Sequence, residues 1–227
     1  AGMDFVWEND KKEDEAGRLK VGGNVRYRHS STDQLSTTNS ESFLTSGANS
    51  SFSNRMNRSK SGNTNVNSNF RLEWSPDTMT RIMFRPNFSF SQNYSDGQSS
   101  SVTFNDNPYT RGMTDPLSQY RDYVSDSIVV NDNRRWSHSD GQSYSVDGML
   151  MVNRRLNSKG RNLTLRMRGG YCDSDNKSFN ISDVNYFLQR KPGGGYDRSY
   201  MHQYNVNPSK SYNGSADLSY SEPLFAG

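Results

Sequence analysis

The chain is 227 residues long, with 30% hydrophobic residues, 12% aromatic residues and a formal net charge of +3. So polar a composition cannot fill an ordinary soluble core of this length, yet its aromatic content and near-neutral charge depart from the signature of a disordered chain. The class that remains is a β-barrel in a bacterial outer membrane, whose strands turn one face to lipid and the other to a wet lumen. No run approaches the roughly 20 apolar residues of a membrane helix, and no basic-then-apolar leader opens the chain. A lone cysteine, Cys172, leaves no intramolecular disulfide and no CxxC motif, and the small, scattered positive charge gives no footprint for nucleic acid.

In chain order, Met3, Phe5 and Trp7 alternate as the tail of a strand, and residues 8–17 form a charged connection. Arg18 to His29 sets Leu19, Val21, Gly23, Val25 and Tyr27 against Arg18, Lys20, Asn24, Arg26 and Arg28, the period of two that a strand imposes. Residues 30–63 are rich in Ser, Thr and Asn and read as one loop, although weak alternation from Phe43 to Phe52 suggests strands projecting beyond the membrane. The clearest hairpin follows. Val66, Ser68, Phe70, Leu72 and Trp74 share one face of its first arm, and Ile82, Phe84, Pro86, Phe88, Phe90 and Tyr94 one face of its second, with Met83 out of step. Between the arms, Ser75-Pro76-Asp77-Thr78 carries Pro at the second turn position, where its fixed φ suits a type I turn.

Residues 95–141 are the longest polar stretch and hold the apolar patch Ile128 to Val130; at that length it is too long for a passive connector. Gln142 to Leu156 then alternates Tyr144, Val146, Gly148, Leu150 and Val152 against polar partners, with Met149 and Met151 blurring the polar face. After a turn at residues 157–160, Leu163, Leu165, Met167, Gly169 and Tyr171 complete a second hairpin. Residues 174–209 read as a third long loop, and Tyr212, Gly214, Ala216, Leu218 and Tyr220 mark a last strand. Short turns alternate strictly with long loops, as periplasmic turns and extracellular loops do. The fold expected is therefore all-β, an antiparallel transmembrane β-barrel, and about seven strands fall short of the roughly eight that close the smallest single-chain barrel. The expectation is a fragment of one outer-membrane barrel domain, completed by remaining strands of the same or another chain.

Four segments carry a family resemblance: GRLKVGGNVRYRHS (17–30), NVNSNFRLEWSPDTMTRIMFRPNFSFS (65–91), FNDNPY (104–109) and SYSEPL (219–224). They resemble the barrel portion of the TonB-dependent-receptor-like outer-membrane proteins of Gram-negative bacteria, over most of the chain. The resemblance implies an upstream regulatory-like or plug region, absent from this sequence, and a barrel of roughly twenty-two strands. It also implies outer-membrane lipid as a neighbour, with the TonB system or a surface lipoprotein as partner.

No residue pattern argues for an enzyme or a cofactor. His29, His138 and His202 lack paired ligand spacing, and the start of a calcium loop at Asp173 fails because Lys177, Ser178 and Val184 stand where a ligand, a Gly and a Glu belong. Tyr27, Trp74, Tyr94, Tyr144, Tyr171 and Tyr220 sit near strand ends on the apolar side, where they suit an interfacial girdle. In the long loops Tyr109, Tyr120, Tyr123, Arg134, Arg135 and Trp136 are candidate extracellular ligand contacts, with ordinary loop packing the alternative. Three functions fit: nutrient uptake through the barrel, a structural scaffold in a surface complex, and a secreted β-sandwich adhesin.

Overall fold

The computed structural model describes residues 1–12, 15–43 and 50–223. Part of the charged connection (13 and 14), the centre of the weak alternation (44–49), and the last residue of SYSEPL with the three that follow it (224–227) lie outside them. One antiparallel sheet takes in seven strands paired in sequence order: β1 Gly2–Glu8, β2 Arg18–Ser42, β3 Ser51–Ser75, β4 Thr80–Phe104, β5 Val129–Arg155, β6 Asn162–Arg190 and β7 Tyr196–Ser221. A short α1 (Pro116–Gln119) and a 3-10 turn (Tyr120–Tyr123) lie between β4 and β5. The sheet is open, with β1 and β7 as its edges. No helix among the described residues is long and apolar enough to cross a membrane.

The seven strands and the short turns stand as expected, but the three long loops do not. Residues 30–42 and 51–63 pair with each other, 95–104 pair with 129–139 except for a bulge at Thr103/Phe104, and 174–190 pair with 196–209 apart from an irregularity after Tyr186. At 25 to 29 residues, strands β2 to β6 span roughly 80–95 Å at ~3.3 Å per residue. The reading as loops failed because both faces of these segments are polar, so no hydrophobic alternation reports the pleat. His138 and His202 accordingly lie on strands. The tip of the β6–β7 hairpin shrinks to residues 191–195, where Gly194 and Gly195 take φ of +86° and the Lys191 amide donates to the Gly195 carbonyl at 3.1 Å.

Continuous register carries one parity from strand to strand. Trp7, Val21, Leu72, Phe84, Leu150, Met167 and Ala216 form one row, and Leu19, Trp74, Ile82, Val152, Leu165 and Leu218 a neighbouring row on the same face. Between the Leu19 and Tyr27 rows this apolar belt runs eight residue steps, roughly 27 Å along the strand. Its upper border moves only from Tyr27 on β2 to Tyr212 on β7, one residue pair, so the strands cross it at a shallow slant of roughly 15°. The other face is a polar ladder of hydroxyls, amides and charged groups, with Arg26, Asn67, Ser89, Ser145, Cys172 and Ser211 in one row. Ser89 and Ser145 hydroxyls meet at 2.7 Å, and Asn69 donates to Asn24 at 3.1 Å. The methionines that broke the alternation pair on this face, Met83 opposite Met151.

The turns hold the register. Asp77 Oδ1 accepts from the amides of Met79 and Thr80 at 2.7 and 2.6 Å, and Asn157 Oδ1 from those of Lys159 and Arg161 at 3.1 Å each. Within the belt the Phe5, Phe70 and Phe88 rings step across the strands at centroid spacings of 6.2 Å. Gly23 lies beneath two of them, and a Cβ there would come 2.7 Å from Phe70 Cδ1 and 2.9 Å from the Asn69 carbonyl. Gly148, in the same belt, would meet only Phe84 at 3.8 Å. Gly23→Ala should therefore cost about 1–3 kcal/mol, whereas Gly148→Ala should be tolerated. Urea midpoints of the two variants check this, and equal midpoints would contradict it.

Candidate functional site

Among the described residues, the buried apolar core is not in the belt but at the far tip of the sheet. Val102, Phe104, Met113, Tyr120, Ile128 and Val129 pack there, with Phe52, Leu117, Tyr123, Val124 and Phe187 against them. The segment 105–128 supplies half of this cluster and folds over β3 to β6 as a cap. Local chemistry shapes it. Asp106 accepts from Arg111 at 2.6 and 2.8 Å, and the Asn107 side chain accepts from the Tyr109 amide at 3.0 Å. Gln119 Oε1 accepts from the Thr114 and Asp115 amides at 2.9 and 3.0 Å.

Buried polar groups fix the cap to the strands. Asp132 is 3% exposed; its carboxylate accepts from the Tyr120 phenol and, at 2.7 Å, from the Asn185 side-chain amide. Asn54, also 3% exposed, donates to the Tyr109 hydroxyl at 2.8 Å and to Asn39 at 2.7 Å. Asn39, Asn54, Val102, Asp132 and Asn185 form one row whose parity is that of the apolar belt, roughly 40 Å farther along the strands. The cap therefore covers the belt side of the sheet and leaves the hydroxyl–amide ladder uncovered.

Beside the cap, Tyr120, Arg121, Asp132, Asn185, Phe187 and Tyr196 line a cleft of about 440 Å³. The Phe187 ring stands edge-on to Tyr196 at 5.2 Å, and the Arg121 guanidinium donates to the Tyr120 hydroxyl at 3.3 Å. The phenol it contacts and the nearby Asp132 carboxylate raise the Arg121 pKa further. On the same side, Arg198 donates to Asp183 at 2.6 and 2.9 Å and holds that carboxyl below the ordinary aspartate value.

The six loop candidates do not form one pocket. Tyr120 and Tyr123 belong to the cap core, and Tyr109 is exposed with its hydroxyl on Asn54. Arg134 and Trp136 lie on the belt side of β5, whereas Arg135 has the opposite parity and faces the ladder. Trp136 instead joins an aromatic strip with Phe179 at 5.0 Å, and Phe179 stands edge-on to His202 at 4.6 Å. Of the six strand-end aromatics, Tyr27, Tyr144 and Tyr171 line the upper border of the belt, Tyr94 stands beyond it, and Trp74 and Tyr220 line the lower one.

Sequence reasoning passed over Asp132, Asn185 and Phe187. No local pattern marks them, since each matters only through strands distant in the chain. The ladder face carries a second hollow of about 440 Å³, lined by Arg85, Asn87, Asp147, Met149, Arg168 and Asn213.

No family profile and no curated protein matches the chain. One solved structure aligned with it is the membrane pore complex of pneumolysin, 8% identical over 89% of this chain, with a TM-score of 0.11. The alignment covers 32% of the pneumolysin chain, and at that score it carries no argument about fold or function.

Tyr120→Phe should cost about 1–3 kcal/mol by leaving a buried carboxylate short of a donor. The loss should appear as faster amide exchange across 105–128, with the belt strands unchanged. Because Asp183 has a depressed folded pKa, its contribution is present above the ordinary value of 3.8 and is lost as pH falls through the lower folded one. Asp183→Asn should thus be less stable than the parent protein at neutral pH, with the difference closing in acid. A gap that does not narrow as pH falls below 3.8 would contradict the assignment.

Proposed function

We propose that this chain is a wall segment of a larger outer-membrane β-barrel of the TonB-dependent-receptor-like kind, and that solute uptake along its polar face is its function. The observation that carries this reading is the division of one continuous sheet into an apolar belt roughly 27 Å long and an opposite face that is polar and charged along its whole length. Lipid covers the belt, and the aromatic rows at its two borders act as the interfacial girdle. The ladder faces the lumen. Both edges need partners, because unpaired backbone in hydrocarbon costs several kcal/mol per group. The slant of this wall is shallower than the roughly 35–45° of complete barrels, so the strands that close it carry most of the stagger.

A scaffold role is the second reading, favoured by the cap. Its position on the belt side aims it at neighbours around the barrel rather than into the lumen, which suits docking of a surface lipoprotein. The two roles are compatible, since a cap on the outside leaves the lumen free.

Phe70→Arg or Leu150→Arg should cost about 2–4 kcal/mol near the bilayer midplane, and Thr164→Arg far less. Denaturant titration of the barrel in lipid vesicles measures both, and equal costs on the two faces would sink the lipid-belt assignment. Impermeant thiol reagents on intact cells supply the orientation: cysteines placed in 191–195 should label from outside and one at Ser158 should not. Recovery of the protein in buffer without detergent would favour a soluble sandwich instead.

A further inference from the structure

The ladder face changes character along its length. From the Ser30 row to the Ser40 row it is mostly Ser, Thr, Asn and Gln, with Arg55, Arg135 and Asp197 its charged positions. At the height of the belt it turns cationic: Arg18, Lys20, Arg26, Arg71, Arg81, Arg85, Arg166 and Arg168 outnumber Asp4, Glu8, Glu73, Asp147 and Asp217. Arg71 and Arg81 both pair with Glu73. Arg85 and Arg168 are exposed, and among the described residues neither guanidinium has a carboxylate or hydrogen-bond partner.

These two arginines flank Met149 in one row, so their backbones stand two strand spacings apart, roughly 10 Å. Arginine side chains of that reach can close on one molecule held between them. The hollow beneath them is floored by Gly148 and Gly169 and walled by Asn87, Asn213 and Ser215. Asp147 is its one acid. The missing side chain at Gly170 gives that carboxylate room to lie aside, with Oδ1 only 2.3 Å from where a Cβ would stand. Two unpaired forks and a rim of amides and a hydroxyl supply donors in excess of acceptors, the arrangement that multivalent oxyanions satisfy through bidentate, charge-assisted bonds.

We propose that the hollow between Arg85 and Arg168 is an oxyanion-binding site, taking small solutes that carry several phosphate, sulfate or carboxylate groups. Its place in an uptake path rests on the ladder facing the lumen; binding itself depends only on the hollow.

The test is calorimetric titration of the complete barrel protein in detergent with inorganic tripolyphosphate, in chloride buffer of low ionic strength. One binding event per chain is expected, weakened about tenfold or more in Arg85→Gln and in Arg168→Gln, and less in the corresponding lysine variants, which keep the charge without the fork. Arg134→Gln, on the opposite face, should bind as the parent protein does. Affinity should fall as salt rises. Absence of binding by the parent protein, or equal affinity in the Gln variants, overturns the site. Recovery without detergent would instead overturn the barrel, and the same titration on the soluble protein would still decide the site.

Discussion

Everything in this structure depends on a register that is held from the short turns to the irregularities at Thr103/Phe104 and after Tyr186. Side chains in a strand alternate with a period of two, so a slip of one residue anywhere between β2 and β7 would exchange the belt and the ladder. Arg85 would then stand among Phe84 and Leu150, and Phe70 among the asparagines. The devices that prevent the slip are local: the Asp77 and Asn157 side chains tie down the short turns, and the Phe70 ring lies over Gly23. With register held, even Ser- and Asn-rich segments gain a complete set of backbone partners, although they bury little apolar surface.

The upper sheet is supported from both ends. Below it, the belt strands fix spacing and parity; above it, the cap core clamps the tips of β3 to β6 through Phe52, Val102, Phe104, Val129 and Phe187. The two faces of this region differ in kind. Mostly hydroxyls and amides line the ladder side, whereas the belt side carries paired side chains such as Arg58 with Asp33 at 3.2 Å and the hydrogen-bonded His138 and Asp96 at 2.6 Å. Such exposed pairs contribute little to stability, so the cap and the backbone ladder must do most of the ordering. Asp132 is central to that arrangement. It is a buried carboxylate, and the Tyr120 phenol and the Asn185 amide offset the cost of its burial.

The belt and its turns were legible in the residues because the contrast they depend on is local. Nine residues such as Val66 to Trp74 contain the whole signal, and Pro76 and Asp77 sit beside the turn they make. Segments 30–42, 95–104 and 174–190 carry no such signal, because their alternation is polar against polar. Tyr120 and Tyr123 were singled out as loop aromatics, but what they touch, the cap core and Asp132, depends on a fold-back across four strands.

By itself the sequence determined the seven strands, the apolar face of each within the belt and the positions of the short turns, since each follows from backbone geometry acting over a few neighbouring residues. Only the tertiary structure decided how far the strands run, which side the cap covers, and that Arg135 parts from Arg134 and Trp136. It also decided that Arg85 and Arg168 share a row across Met149. Pairing between strands distant in the chain sets all of these, and no short window of sequence contains both partners.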